Sequence, residues 1–316
     1  MRRLGLLVAL VALVALAGCG GSSPSATVRD GRTPRTVPAP LQVANGPVQA
    51  ADPGSRPLTL ELAATADSVV VPFKHPPRSG LLFDLDTGQV LWRHLPDRVL
   101  PIASLTKMMT ALIVAARSKP DDKVRVTKEA LAYKGSAVGV LPKGKRVKLE
   151  TMLNGLLLPS GNDAAIALAQ RISGTVAQFV ERMNEHARDL GLECTRFSSP
   201  DGFVDAGNHS CAVDLAALAR AVLDQPRLAR IVRRRRALLP FPIKGGRLYL
   251  FNNNPLLRTG YPGAIGIKTG YTDAAGRCLV AAARRNGRRL GVVLLHSPDA
   301  GRQATQLLNR GFARVP

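Results

Sequence analysis

Aromatic side chains are scarce in this chain: one tryptophan, four tyrosines and eight phenylalanines among 316 residues. Base-stacking platforms need them, and no DNA- or RNA-recognition motif accompanies the basic run Arg233–Arg236, so nucleic acid is a poor partner. That run reads instead as a solvated helix end. Histidines number five (His75, His94, His186, His209 and His296). No two stand at metal-ligand spacing, and none supports a Ser-His-Asp arrangement; no metal or other cofactor is expected. A glycine-rich phosphate loop is missing. Acidic residues are few, 22 against 44 lysines and arginines, which leaves a formal charge of +22. A protein so basic favours anionic surroundings such as lipid headgroups, acidic polymers or peptide carboxylates.

The apolar run Leu4–Leu16 is too short to span a bilayer, which takes about 20 residues. Arg2 and Arg3 before it and small residues after it give the pattern of a secretory signal. Leu16-Ala17-Gly18-Cys19 reads as a lipobox, with cleavage before Cys19 and lipid on its thiol. Ordinary cleavage after Ala17 is the competing reading. Loss of residues 1–18 removes Arg2 and Arg3 and lowers the charge from +22 to +20. From Cys19 to Pro77 the text is rich in Pro, Gly and Ala without sustained periodicity. It buries too little to offset ordering entropy and reads as a flexible tether spanning roughly 40 Å. The alternative is an ordered arm wrapping the domain, with LTLELA and SVVVPF as short strands.

Four cysteines remain to be placed. With Cys19 assigned to the lipid, Cys194, Cys211 and Cys278 allow three single pairings in an oxidising compartment. Cys194 with Cys211 is preferred, because they flank the SSPDGF loop. Cys278 fits a buried small apolar residue.

Three patterns occur once each, in the order S-x-x-K (Ser104 to Lys107), S-x-N (Ser160 to Asn162) and K-T-G (Lys268 to Gly270). On a helix Ser104 and Lys107 share a face, one turn apart. A lysine whose pKa is depressed can accept a serine proton without histidine. Each pattern alone has an ordinary explanation: a solvated lysine, an asparagine helix cap, a Thr-Gly turn. Their ordered coincidence is the trio of penicillin-binding proteins and class A β-lactamases.

With the surrounding text the chain resembles the D-alanyl-D-alanine carboxypeptidases, the low-molecular-mass penicillin-binding proteins. FDLDTGQVLW, PIASLTKMMTAL, TMLNGLLLPSGNDAAIALAQ, FVERMNEHARDLGLECTRFSSPDGF and NNNPLLRTGYPGAIGIKTGYTDAAGRCLVAAA carry the likeness, from roughly Ser79 to Phe312. The resemblance implies an α+β fold of the β-lactamase/transpeptidase type, a mainly antiparallel sheet flanked by helices. It implies that Ser104 attacks the bond between the terminal D-alanines of a peptidoglycan stem peptide. Lys107 takes the proton, Ser160 relays one to the leaving group, and Asn162 holds Lys107 and the substrate amide. Lys268, Thr269, Gly270, the Tyr271 N–H and Arg302 bind substrate, and β-lactams acylate the same serine. The rival readings are a DD-endopeptidase cutting cross-links, a β-lactamase, and an inactive β-lactam-binding lipoprotein. The domain expectation is a lipoprotein signal over residues 1–18, a tether over 19–77 and a catalytic domain over 78–316. Relatives that continue into a β-rich second domain and an anchoring helix have no counterpart in this text, so the lipid replaces that anchor and places the enzyme extracytoplasmically, on the envelope membrane.

Locally, LLFDLD and QVLWRH form a hairpin about Thr87-Gly88. Helices follow from Ser104 to Arg117, from Thr151 to Ile172 with a break at Pro159–Gly161 exposing Ser160 and Asn162, and over Val176–Leu190 and Val213–Leu223. Strands are expected over Gly263–Tyr271, Cys278–Arg284 and Arg289–His296, then a helix over Gln303–Arg310.

Overall fold

A computed structural model describes residues 60–62, 67–243 and 246–314. The signal, the lipobox cysteine Cys19 and most of the expected tether lie outside those residues.

Five antiparallel strands form the main sheet, in the spatial order Val90–His94, Ser79–Asp84, Arg288–Ser297, Gly276–Arg285, Ala264–Thr272. The first two strands come from the start of the domain and the last three from its end. All the large helices but one lie between them in sequence. The expected hairpin forms about the Asp84 carboxylate, which accepts from the Asp86 and Thr87 N–H groups at 2.8 and 2.9 Å.

Both sheet faces are covered, which explains why the central strands read as continuous apolar runs rather than alternating ones. Leu81, Phe83, Val280, Val293 and Leu295 point into the larger core beneath the helices. Leu82, Leu279, Ala281, Val292 and Leu294 point to the smaller one, closed by the C-terminal helix Ala300–Arg314 through Ala304, Leu307 and Leu308. The helix Lys107–Ala116 runs through the larger core, every residue from Lys107 to Ala115 being buried. Around it pack Leu149–Leu157, Asn162–Ser173, Val176–Asp189 and Ala212–Asp224. Val176–Asp189 shows why such helices bury one stripe: Phe179, Met183 and Ala187 recur every four residues. The Thr175 hydroxyl caps it, accepting from the Gln178 N–H at 3.2 Å.

Two expectations need correction. Residues 67–77 belong to the domain and not to a tether. Val69 is buried and donates its N–H to the Leu91 carbonyl at 2.9 Å. Asp67 pairs with Arg93 at 3.0 Å, and the Phe73 ring meets Trp92 edge-on. These residues pack as an ordered arm without joining a named strand. The second correction concerns Arg233–Arg236. The helix Pro226–Val232 does end there, but Arg236 opens a strand, Arg236–Pro240, paired with Arg247–Phe251. Leu238, Tyr249 and Phe251 lie on the exposed face of that hairpin, so apolar residues occupy both faces and the period-two signal is lost.

Cys194 and Cys211 form a disulfide, and Cys278 is a free, buried thiol whose burial pushes it up to about 12. Among the described residues no helix is long and apolar enough to cross a membrane.

Candidate active site

Ser104 lies in a single 3-10 turn, Ala103–Thr106, that opens the helix Lys107–Ala116. Ala103 takes φ 46°, a left-handed conformation that alanine rarely adopts, and so turns the chain sharply before the nucleophile. Ser104 is half-buried, whereas Lys107, three residues on, has no exposed surface. The Lys107 Nζ donates to Ser104 Oγ at 2.8 Å, Asn162 Oδ1 at 2.7 Å and the Asp201 carbonyl at 2.7 Å. Three donors find three acceptors, so the ammonium is held without water. Burial lowers its pKa from 10.5 to about 8, and the negative charges of Asp201 and Asp163 limit the fall. A substantial neutral fraction therefore exists near neutral pH, with a lone pair facing the serine hydroxyl.

The break between Leu149–Leu157 and Asn162–Ser173 carries Ser160 in a left-handed conformation, φ 70°. The break was expected to expose Ser160 and Asn162, but both are buried, and Asn162 is the first residue of the next helix. The reason is that three other segments close over them. Lys268 Nζ donates to Ser160 Oγ at 2.8 Å, Lys107 reaches Asn162, and the strip 134–139 covers the remainder. The Asn162 side-chain amide donates to the Lys134 carbonyl, and its backbone N–H donates to Ser136 O at 2.8 Å. Asp163 pins the same strip, accepting from the Val138 and Gly139 N–H groups at 2.9 and 3.1 Å. Asn162 is not an N-cap here, since its side chain makes no capping bond.

Lys268 lies on the edge strand Ala264–Thr272 and is fully buried. Its second bond is to the Thr269 carbonyl at 2.7 Å. Burial, with the nearby Lys107 charge adding to it, pushes its pKa well below the ordinary lysine value. Gly270 is where the strand touches the nucleophile turn. A Cβ there would stand 2.9 Å from Ile102 O and 3.1 Å from Ser104 N. Tyr271, next along, is exposed.

Ser104, Ser160, Thr269, Gly270 and Tyr271 border one cavity of about 420 Å³. Ser136 forms its far lip, and Arg277 and Asp299 its other end. The structure thus brings Ser104, Lys107, Ser160, Asn162 and the Lys268–Tyr271 stretch together. It does not bring Arg302 to the cavity wall: that side chain is exposed on the C-terminal helix, and its N–H donates to Asp299 Oδ1 at 3.1 Å.

Sequence reasoning missed the segment that supplies the third Lys107 acceptor. Pro200-Asp201-Gly202 turns the chain so that the Asp201 carbonyl meets Lys107 and the Pro200 carbonyl meets the Thr110 hydroxyl at 2.6 Å. Asn208 braces the loop from within, donating to Val204 O at 2.7 Å and accepting from the Ser198 N–H at 3.1 Å. The Pro-Asp-Gly signature was available as a turn signal, but nothing in it announces a backbone carbonyl as the functional atom. Among the described residues one cluster has metal-ligand chemistry, Cys194, Cys211 and Asp214, and the disulfide consumes its sulfurs.

The sequence profile of the D-alanyl-D-alanine carboxypeptidases matches residues 65–299. D-alanyl-D-alanine carboxypeptidase DacF of Bacillus subtilis is 35% identical over 248 residues, 76% of this chain and 63% of the relative. DacB2 of Mycobacterium tuberculosis is 36% identical over 259 residues, 79% of this chain and 87% of the relative. This chain therefore spans somewhat under two thirds of the Bacillus protein's length. Among solved structures, the Streptomyces K15 DD-transpeptidase superposes with a TM-score of 0.72 at 33% identity, covering 77% of this chain and all of that one. A D-alanyl-D-alanine carboxypeptidase from Mycobacterium tuberculosis gives 0.72 at 35% identity, covering 78% and 95%.

Proposed function

The chain belongs to the D-alanyl-D-alanine carboxypeptidase family, and from that premise we propose that it removes the terminal D-alanine from peptidoglycan stem peptides through an acyl-enzyme on Ser104. The observation that carries the reading is the buried Lys107 amine, bonded at once to the Ser104 hydroxyl and the Asn162 amide oxygen.

Neutral Lys107 takes the Ser104 proton as Oγ attacks the carbonyl of the penultimate D-alanine. The N–H groups of Ser104 and Tyr271 receive the developing oxyanion, an interaction worth roughly 3–4 kcal/mol per donor in comparable sites. The tetrahedral species collapses when the leaving amine gains a proton through Ser160, which hydrogen-bonds Lys268. That loss of D-alanine leaves an ester on Ser104. Water then attacks the ester, Lys107 again accepting a proton, and Ser104 is regenerated. A β-lactam enters the same path with its leaving amine still tethered to the acyl group. Thr269 and Lys268 border the place where the substrate carboxylate would lie, and the bare Gly270 edge admits an extended peptide beside the strand.

Export and lipid attachment at Cys19 are part of the same proposal. Its support is the sequence pattern of Arg2, Arg3, Leu4–Leu16 and the Leu16–Cys19 lipobox. The segment between Cys19 and the ordered arm would then serve as the tether. Mass spectrometry of the mature N-terminus tests it. Diacylglyceryl-Cys19 is expected, and a mature chain beginning at Gly18 with a free thiol overturns it.

The activity is tested by incubating the protein with a diacyl-L-Lys-D-Ala-D-Ala peptide and measuring released D-alanine against Ser104→Ala. Release above that control is expected, together with a stoichiometric penicillin adduct on Ser104. Neither release nor adduct would overturn the reading. Cleavage of cross-linked dimers with no action on the linear peptide would replace it with the endopeptidase.

A further inference from the structure

The end of the cavity beyond Thr269 carries a charge that the mechanism does not use. Arg277 stands on the strand Gly276–Arg285, directly across from Tyr271, with Leu279 across from Thr269 two residues on. Side chains two apart on a strand share a face, so Arg277, Tyr271, Leu279 and Thr269 all point to the same side of the sheet. The pairing with the next strand slips between Arg277 and Leu279, a bulge of the kind that re-aims a side chain beside a site. Arg277 is exposed and borders the cavity together with Thr269 and Tyr271. Its printed bond is a long one, from Nη1 to the neutral Pro298 carbonyl at 3.3 Å. Among the described residues it makes no ion pair. Asp299 shares the wall, but its carboxylate is turned to the Arg302 N–H at the start of the C-terminal helix.

We infer that Arg277 is a specificity-determining residue, its guanidinium engaging the free carboxylate at the C-terminal end of the substrate. The inference rests on the proposed carboxypeptidase reading and deepens it. The leaving D-alanine carries its carboxylate one residue beyond the carbonyl attacked by Ser104, and an extended chain beside Gly270 and Tyr271 delivers that group past Thr269. A permanent positive charge is what that end of the cavity needs. Lys268 is a weak source of one: it is dry, it repels Lys107, and its hydrogens already serve Ser160 and Thr269. An arginine stays protonated throughout, and its planar fork matches a carboxylate with two parallel bonds. Asp299 on the same wall repels a misplaced carboxylate and so favours the Arg277 side.

The test pairs two substrates, the acyl-D-Ala-D-Ala acid and its C-terminal amide, with the parent, Arg277→Ala, Arg277→Lys and Arg302→Ala proteins. The readouts are kcat/KM and, on a Ser104→Ala background, the dissociation constant of each peptide. Arg277→Ala should lower the acid-to-amide ratio of kcat/KM by roughly tenfold to a hundredfold, the usual worth of hydrogen bonds to a charged group. Most of that loss should appear in KM and in the dissociation constant, and Arg277→Lys should recover part of it. A ratio unchanged in Arg277→Ala overturns the inference, and so does a ratio lost only in Arg302→Ala. A parent protein that turns over neither substrate, yet binds the acid through Arg277, would sink the carboxypeptidase reading and leave the anion site standing. Failure to bind either peptide overturns both.

Discussion

Lys107 holds its side-chain nitrogen 2.8 Å from the Ser104 hydroxyl while exposing no surface of its own. Contact without solvent separates a base from a counter-ion. The proton can move directly, and no water competes for the lone pair. Replacing Lys107 with methionine should slow acylation by roughly 10²–10⁴-fold, the span typical of a lost general base. Lys107→Arg is the sharper variant, since arginine keeps the charge but cannot give up a proton. It should be as inactive as methionine when adduct formation with a fluorescent penicillin is timed. Arginine-supported acylation near the parent rate would show that charge alone suffices.

The pKa of about 8 gives the rate a pH signature. Neutral lysine is the active form, so kcat/KM for acylation should climb about tenfold per pH unit below 8 and level off above it. Asp163 is one of the two charges that hold the value up, the other being Asp201. Asp163→Asn removes a full charge from a buried site and should therefore move the midpoint to lower pH. A midpoint near that of free lysine in the parent, or an upward shift in the variant, would contradict the assignment of burial as the cause.

How far the sequence disclosed this site depends on the kind of atom concerned. Ser104, Lys107, Ser160, Asn162 and Lys268 act through side chains, and three short patterns pick them out. The central strands were legible from their apolar runs. The Asp201 carbonyl was not, because a backbone oxygen has no residue type to recognise. Arg277 was passed over because one arginine among 44 basic residues carries no signal until the sheet register sets it opposite Tyr271. The hairpin of Arg236–Pro240 and Arg247–Phe251 was hidden by apolar residues on its exposed face. The arm at 67–77 was read as tether because its order comes from docking on Leu91 and Trp92, not from periodicity.

The Cys194–Cys211 disulfide closes a loop of 17 residues around the Asp201 segment. A loop of that length contributes about 3 kcal/mol by restricting the unfolded chain. For a domain of this size that corresponds to a fall in Tm of roughly 6–12 °C on reduction. Calorimetry with and without a phosphine reductant measures it. Penicillin acylation at 25 °C should weaken less than stability does, because Asn208 and the Asp201 side chain also hold the loop. A Tm indifferent to reductant would mean that the pair does not form.

Gly202 couples that loop to the nucleophile, and its substitution tests the coupling. Its φ is 70°, and a Cβ would fall 2.0 Å from the Ala103 carbonyl oxygen and 2.5 Å from Thr106 Oγ1. Both atoms belong to the turn that presents Ser104, and a backbone oxygen cannot swing aside as a long side chain would. Gly202→Ala must therefore displace either the nucleophile turn or the Asp201 carbonyl, and each breaks a contact of Lys107. Gly191→Ala supplies the comparison, because its φ is 67° with open space around the Cβ position. That variant bears only the left-handed cost, about 1–2 kcal/mol. Both proteins should melt below the parent, Gly202→Ala the lower of the two. At a temperature where circular dichroism reports both folded, only Gly202→Ala should lose penicillin acylation, by about tenfold or more on the scale of a displaced catalytic group. If the two variants acylate alike, the Asp201–Gly202 turn is a structural staple with no hold on the serine.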